Sequence, residues 1–418
     1  MRSALTDVTY VRNFIRESAP AWLDHVALIS GMAPPLRHAA FSWCDLGCGP
    51  GTNAAIMAAT HPLGSFVGID SLPAHIEEAN LLATDARIPN VHFHALDFAA
   101  ATTRDFGGFD YIVSHGVYTW IDQTARDQWL AFIDRHLKPG GLLYVSYNAL
   151  PGRAADLPLQ RLVHALGGTL PGNSRDRTQA ALAVVDGMNH LKAPALASSP
   201  MMQRLHQNRG RFDPDYLAHE FMVPWDPQCV TDVRAHLAQA GLRPAGSATL
   251  VENYDNFVLG RTARQLLATI EDPHAREFAR DFMIDQFFRR DVFVREGRTL
   301  DDAERRRRLL NTAFWLGEPA DEVKYSLVTP AGRLTFDNPA ARHIVQGLAA
   351  GPRRLADLSE NATIPDRDLL ANALALSAAL TIWPVEAANA PVDNINQALE
   401  GRYRVLGCGT ALRVAKET

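Results

Sequence analysis

Residues 45–51 read Asp-Leu-Gly-Cys-Gly-Pro-Gly, and this glycine-rich stretch decides the fold of the chain. It follows a predicted strand at 41–46 and opens a predicted helix at 52–60. Glycines allow a tight turn and a close approach of the backbone to a ligand. The N-terminus of the helix that follows supplies unpaired N–H groups. The stretch therefore predicts a nucleotide-binding turn between a strand and a helix.

Short apolar runs alternate with helical patterns on both sides of this turn. The runs after it are FVGID (66–70), VHFHAL (91–96), FDYIV (109–113) and LLYVSYN (142–148). Alternation of strand and helix at this spacing is typical of a parallel sheet with right-handed crossovers. We therefore predict an α/β fold with a Rossmann-like, doubly wound sheet.

Three acidic residues stand at the ends of the first three predicted strands: Asp45, Asp70 and Asp97. Asp70 follows Gly51 at about the distance from which an acid reaches ribose hydroxyls in nucleotide-binding folds. A dinucleotide-binding G-x-G-x-x-G motif from Gly47 would need glycine at position 52, which is Thr52. The pattern is instead G-x-G-x-G with an acid two residues before it.

The motifs DLGCGPG, VGID, ALDF, FDYIVSHGV and LKPGGLLYVSYN, in this order, resemble motifs of class I S-adenosylmethionine (SAM)-dependent methyltransferases. The resemblance covers roughly residues 1–260 and implies a seven-stranded sheet closed by a hairpin of strands at 244–250 and 253–260. It implies SAM as the cofactor, S-adenosylhomocysteine (AdoHcy) as the product, and no metal. The implied SAM-binding residues are Tyr10, Asp45, Gly47, Cys48, Gly49, Gly51, Asp70, Ser71, Asp97, Phe98 and His115. Among them, Asp70 would bind the ribose, Asp97 the adenine amino group, and Tyr10 would cover the pocket.

Four further segments give a narrower resemblance: HGVYTW (115–120), SYNALPG (146–152), YLAHEF (216–221) and FFRRDVFVR (287–295). They look like bacterial methyltransferases that carry a methyltransferase regulatory domain. That family includes protein-lysine methyltransferases acting on outer-membrane proteins, so a protein lysine is the favoured acceptor by resemblance. Side chains at the ends of the fourth and fifth strands are the catalytic candidates: His115, Tyr118 and Tyr147. A base or hydroxyl there would help to deprotonate an amine.

Composition is that of an ordinary globular protein, with a net charge of −5 and a pI of about 6.3. Such a charge does not favour a nucleic-acid partner. The four cysteines have neither CxxC spacing nor a neighbouring histidine cluster, which predicts reduced thiols rather than a metal site. The N-terminus has no apolar signal-peptide core and no stretch is long and apolar enough to span a bilayer, so we expect a cytoplasmic protein.

Two parts are expected. Residues 1–262 would form the methyltransferase domain, with a helical insertion at about 151–225. Residues 263–418 would form a mostly helical, winged-helix-like domain that regulates or contacts substrate, with a strand at 334–336 and helices at 339–350, 353–360 and 366–380. Two alternatives remain open: a small-molecule methyltransferase with the C-terminal part as a lid, and a SAM-binding regulator with a nucleic-acid-binding C-terminal module. The absence of net charge after residue 260 disfavours the second alternative.

Overall fold

The computed structural model describes residues 5–8, 10–35, 40–197, 199–208, 210–359, 364–386 and 393–399. Within these ranges no helix is both long enough and apolar enough to cross a membrane.

A seven-stranded sheet in the order β3-β2-β1-β4-β5-β7-β6 forms the centre of the molecule. Its strands are β1 (Ser42–Leu46), β2 (Ser65–Asp70), β3 (Val91–Ala95), β4 (Phe109–Ser114), β5 (Leu137–Asn148), β6 (Leu242–Ser247) and β7 (Phe288–Arg295). The first five strands are parallel, and β7 is antiparallel to both β5 and β6. The predicted Rossmann-like methyltransferase sheet is therefore confirmed.

Helices flank this sheet on both faces. Those of the first half are α1 (Pro20–Ile29), α2 (Thr52–Thr60), α3 (Pro73–Asp85), α4 (Phe98–Thr103) and α5 (Gln123–His136). Because strand side chains alternate between faces, Trp43 packs in the core on one side of the sheet and its neighbour Cys44 in the core on the other. Both are fully buried. The sheet is thus covered on both faces, as parallel sheets require.

The segment after β5 is helical, as predicted for the insertion at 151–225. It contains α6 (Leu157–Thr169), α7 (Ser174–His190), α8 (Pro194–Ala197), α9 (Pro200–Gln207) and α10 (Pro214–Met222). These helices have a hydrophobic cluster of their own, which includes Val163, Val185, Phe221 and Trp225. The chain then returns to the sheet through α11 (Val230–Ala238) and β6.

The predicted hairpin of strands at 244–250 and 253–260 is wrong in its second strand. After β6 the chain forms α12 (Asp255–Val258), α13 (Arg261–Leu267) and α14 (Pro273–Ile284) before it enters the sheet again as β7. Strand β7 lies between β5 and β6. The sheet therefore continues past residue 262, where the domain boundary was predicted.

The sequence pattern did not predict this strand because residues 289–291 are all charged. Arg289 is buried, and its guanidinium bonds the carboxylates of Asp281 and Asp291 at 2.5 and 3.0 Å. Buried charges are tolerated when paired in this way. The fully buried run Val292 to Val294 then forms the apolar half of the strand.

The C-terminal part forms a small unit of its own. Its elements are α15 (Asp302–Leu310), β8 (Ala313–Leu316), β9 (Ser326–Thr329), β10 (Gly332–Thr335), α16 (Pro339–Leu348), β11 (Arg353–Arg354), α17 (Leu355–Ser359), α18 (Asp366–Ala378), β12 (Ile382–Val385) and α19 (Asp393–Leu399). The strands pair as a β9–β10 hairpin and a three-stranded sheet in the order β11-β8-β12. Strand β10 overlaps the predicted strand at 334–336, and α16, α17 and α18 lie within the three predicted helices. The second predicted helix, 353–360, begins as strand β11 and ends at residue 360, outside the described residues. The C-terminal part is thus mostly helical, as predicted, and its winged-helix-like character stays a prediction.

This C-terminal unit packs on the methyltransferase sheet and its helices. Strand β12 and helix α15 contact α1, and α19 contacts α2 and α3. Ile395 and Leu399 of α19 are buried in the same hydrophobic core as Trp43. The unit thus shares a core with the part of the chain that holds the glycine-rich turn.

Candidate active site

The glycine-rich turn is fixed by close packing and by an unusual backbone. Gly47, Gly49 and Gly51 have φ values of +94°, +53° and +73°, in the left-handed region that favours glycine. A Cβ on Gly47 would lie 2.4 Å from Cγ2 of Val117, and one on Gly51 would lie 2.4 Å from Cβ of Ala79. Larger residues at 47 and 51 would push apart the elements that form the site.

A cavity of about 580 Å³ lies over this turn, at the carboxyl ends of the parallel strands. Of the predicted SAM-binding residues, the structure brings to its lining Tyr10, Asp45, Gly47, Cys48, Gly49, Asp70, Ser71, Asp97, Phe98 and His115. Gly51 lies beneath the lining, against α3, and shapes the turn. A cavity at this edge of the sheet is where open α/β folds bind their ligands.

Asp70 connects the turn to the end of β2. One carboxylate oxygen accepts a hydrogen bond from the N–H of Gly49 at 2.9 Å. The other accepts from the N–H of Leu72 at 2.9 Å and lies 3.2 Å from Nδ1 of His75. A carboxylate has about four acceptor sites, so Asp70 can still accept a hydroxyl hydrogen bond from the cavity.

Asp45 is buried at the floor of the cavity, where Nδ2 of Asn53 donates to it over 3.4 Å. Burial, with a further contribution from the nearby charge of Asp70, raises the pKa of Asp45 to about 7. A cation beside it would offset that burial. In the same lining, the buried hydroxyl of Thr52 has no hydrogen-bond partner among the described residues. These two groups fit the ammonium and carboxylate ends of the methionine part of SAM.

Asp97 and Phe98 mark the other end of the cavity. One oxygen of Asp97 accepts from the N–H of Ala100 at 2.8 Å and caps α4. Ile121 and Ala125 line the same region. Apolar walls beside a carboxylate suit an adenine ring and its amino group.

His115 follows β4 and lies in the cavity wall. Its Nδ1 is 2.8 Å from the hydroxyl of Tyr144 and 3.1 Å from that of Ser146, and its ring lies parallel to Tyr144. Burial, with the nearby positive charge of Arg290, lowers the pKa of His115 to about 3. His115 is therefore a neutral imidazole at physiological pH, with Nε2 as the nitrogen left for a ligand.

Two of the three catalytic candidates do not reach the cavity. The hydroxyl of Tyr118 lies 2.8 Å from Nδ1 of His236, and its ring packs on Trp129 in the core. The hydroxyl of Tyr147 donates to Asp291 over 2.7 Å. Because strand residues alternate between faces, Tyr147 points away from the face that carries Tyr144 and Ser146. The structure therefore does not bring these two predicted catalytic residues to the cavity, and their catalytic role stays a prediction.

Sequence reasoning missed one wall of the cavity. His219 and Val223, from the end of the helical insertion, lie there beside Tyr10. The rings of Tyr10 and His219 meet edge to face with centroids 4.8 Å apart. The motif YLAHEF at 216–221 was a usable signal, although nothing in its spacing indicates that α10 folds back over the turn.

The charge of the cavity is one-sided. Its lining contains four carboxylates, Asp45, Asp70, Asp97 and Asp122, and no lysine or arginine among the residues described. The structure shows no cluster of three or more potential metal ligands in the ranges it describes. The cavity is thus suited to cationic ligands.

Two family models match the chain: a methyltransferase domain over residues 37–176 and a predicted methyltransferase regulatory domain over residues 213–295. The second model includes α10 and β7. It therefore begins before the predicted regulatory part at 263–418 and ends well before that part does. The residues matched by this model therefore form both one wall of the cavity and an interior strand of the sheet.

The uncharacterized protein sll1526 from Synechocystis is 33% identical over 356 residues, which cover 85% of this chain and 70% of that protein. A trans-aconitate 2-methyltransferase from Variovorax paradoxus is 28% identical over 169 residues, covering 39% of this chain and 60% of that enzyme. Among solved structures, PKMT2 from Rickettsia typhi in complex with AdoHcy matches with a TM-score of 0.69 at 21% identity. The match covers 90% of this chain and 77% of that one, and at this identity it is a likeness of fold.

Proposed function

Because the chain belongs to the family of SAM-dependent methyltransferases with a methyltransferase regulatory domain, we propose that it methylates an amine, namely the side chain of a protein lysine. The observation that carries the proposal is the described lining of the cavity, which has no lysine or arginine to pair with an acidic acceptor and has one carboxylate, Asp122, beyond the three assigned to SAM. A lysine ammonium is attracted to such a site. The earlier resemblance to protein-lysine methyltransferases supports the same acceptor.

When bound, SAM supplies an activated methyl group on a sulfonium, so the protein needs mainly to align the acceptor and exclude water. Asp70 and Asp97 would hold the ribose and adenine, while Asp45 and Thr52 would hold the methionine end. Tyr10 would cover the turn from above. Once the lysine ammonium has lost a proton to solvent, Nε2 of the neutral His115 would accept a hydrogen bond from the neutral amine and so orient its lone pair.

Trans-aconitate 2-methyltransferases, which are also relatives, suggest a small carboxylic acid as the second candidate acceptor. A carboxylate acceptor needs a cationic partner such as arginine. Arg290 lies near His115 but does not line the cavity. The charge of the site therefore favours an amine over a carboxylate.

The cofactor assignment is tested by Asp70→Asn, which keeps the shape of the side chain and removes its charge. We expect AdoHcy to bind the variant about 10- to 150-fold more weakly, since hydrogen bonds to a charged group contribute about 1.5–3 kcal/mol. Isothermal titration calorimetry measures the dissociation constant. The matched control is Asp110→Asn, a carboxylate at the opposite end of β4 that is bonded to Ser42 and Lys138. Equal affinities in both variants would contradict the assigned pocket.

The acceptor is tested by supplying SAM with a lysine-containing peptide or with trans-aconitate and following methyl transfer by mass spectrometry. We expect methylated lysine and no methyl ester of trans-aconitate. The reverse result, in an enzyme that binds AdoHcy, would overturn the amine proposal while leaving the cofactor assignment intact.

A further inference from the structure

Tyr10 lies between the end of β4 and α10, which is the first helix that the regulatory-domain model matches. Its ring meets His219 of α10, and both side chains line the cavity. On the other side, a Cβ placed on Gly116 would lie 3.7 Å from the Tyr10 hydroxyl. Gly116 follows His115 directly. The Tyr10 hydroxyl therefore lies at the end of β4, in the part of the cavity beside His115.

A buried carboxylate stands behind these two rings. Glu220 is 8% exposed, and Tyr216, one helical turn earlier on the same face of α10, donates a hydrogen bond to it. Burial and the negative charge of Glu220 together raise the pKa of Tyr10 to about 12. The negative charge of Glu220 therefore acts on Tyr10, which lines the cavity.

Two arginines act on Glu220 as well. Arg153 and Arg204 both contribute positive charge there, and both form ion pairs with Asp156. Glu220 therefore adds a negative charge behind Tyr10 to the four carboxylates that line the cavity.

We propose that Tyr10, His219 and Glu220 form the acceptor subsite, which selects a cationic amine. This inference rests on the proposed function and deepens it. The rings of Tyr10 and His219 would contact the stem of the amine, because aromatic faces attract ammonium groups, and the Tyr10 hydroxyl oxygen would accept a hydrogen bond from the amine. Glu220 is a positioning residue that supplies the attracting charge through this layer. The subsite would hold protonated and methylated amines alike and repel carboxylates.

Sinefungin tests the subsite without any knowledge of the protein substrate. This SAM analogue has an ammonium-bearing carbon in place of the methylated sulfur, so its charge projects toward the acceptor side. AdoHcy has the same adenosine and amino-acid parts without that charge. The ratio of the two dissociation constants, measured by calorimetry on the full chain, cancels the shared contacts and reports the charge of the subsite.

We expect Glu220→Gln to reduce the preference for sinefungin over AdoHcy by about tenfold while leaving AdoHcy affinity unchanged. Tyr10→Phe, which removes a single oxygen atom, should reduce the same preference by a smaller factor. The matched control is Glu252→Gln, a half-buried carboxylate whose pKa burial also raises, which is bonded to Ser247 and Gln286 and is absent from the cavity lining. Its ratio should equal that of the wild type.

If both Glu220→Gln and Tyr10→Phe leave the ratio of the two dissociation constants unchanged while AdoHcy still binds, the subsite proposal is wrong and the proposed function stands. If Glu220→Gln fails to fold, an unchanged ratio in Tyr10→Phe overturns it. Failure of the wild-type protein to bind either ligand would instead overturn the proposed function. A merely structural role for Glu220 would weaken both ligands equally, so the ratio separates positioning from folding.

Discussion

At the scale of single residues, the glycine turn and the three strand-end acids were predictable because their chemistry is local. The turn at Gly47 requires a positive φ, which glycine adopts readily, and the role of Asp70 follows from its distance in sequence from that turn. The roles of Tyr118 and Tyr147 were not predictable in this way. Which face of a strand lines a cavity depends on the partner strands, and Tyr147 faces Asp291 of β7, which is distant in sequence.

Asp45 provides a residue-scale prediction about pH. Its pKa is raised from the ordinary value of 3.8 to about 7 by burial. Between these two values the folded state binds more protons than the unfolded state, so this residue lowers the stability of the ligand-free protein as pH rises. Above pH 7 the folded protein bears the full free-energy cost of burying the charged carboxylate. The variant Asp45→Asn has no such charge and avoids this cost.

We therefore expect ligand-free Asp45→Asn to be more stable than the wild type at pH 8, by roughly 1–3 kcal/mol. The advantage should shrink as pH falls from 7 toward 4. Urea unfolding at pH 8 and pH 5.5 measures both values, with Asp110→Asn as the control for loss of one carboxylate. The same variant should bind SAM more weakly, since it lacks the charge facing the ligand. A variant less stable than the wild type at pH 8 would show that Asp45 instead stabilises the turn.

At the scale of elements, five parallel strands could be predicted from apolar runs, but β7 could not. Its sequence begins with Phe288 and then has three charged residues in a row. Those charges are stable inside the protein because Arg289 meets Asp281 and Asp291, and Asp281 lies on a different element, α14. The strand thus depends on pairing that no local pattern indicates.

Tyr147→Phe tests the structural role of this β5–β7 contact. Removing its hydroxyl deprives the buried Asp291 of one hydrogen bond, which should lower the free energy of unfolding by about 1–3 kcal/mol. Methyl transfer and AdoHcy affinity should stay within twofold of the wild type. The informative comparison is Tyr144→Phe on the opposite face of β5, which removes a hydroxyl bonded to His115 and should lower turnover. A large loss of turnover in Tyr147→Phe at unchanged stability would restore its catalytic assignment.

At the scale of the whole molecule, the sequence indicated a second, helical part but misplaced the boundary. The interval between β6 and β7 contains α12, α13 and α14, so the end of the sheet looks like the start of a helical domain. The regulatory family model ends at residue 295, where β7 ends. We propose that the methyltransferase unit extends to about residue 300 and that the C-terminal unit begins at α15.

Two shortened chains test this boundary. A chain of residues 1–262 lacks β7, which lies between β5 and β6, so β6 loses its pairing partner in the sheet and β5 loses one of its two. We expect it to show no cooperative unfolding and no AdoHcy binding. A chain of residues 1–300 retains all seven strands and should bind AdoHcy, with a lower melting temperature because α1 loses its contacts with α15 and β12. Circular dichroism melts and calorimetry measure both properties. AdoHcy binding by residues 1–262 would mean that β7 is dispensable, whereas an unfolded 1–300 chain would mean that the C-terminal unit is an integral part of the core.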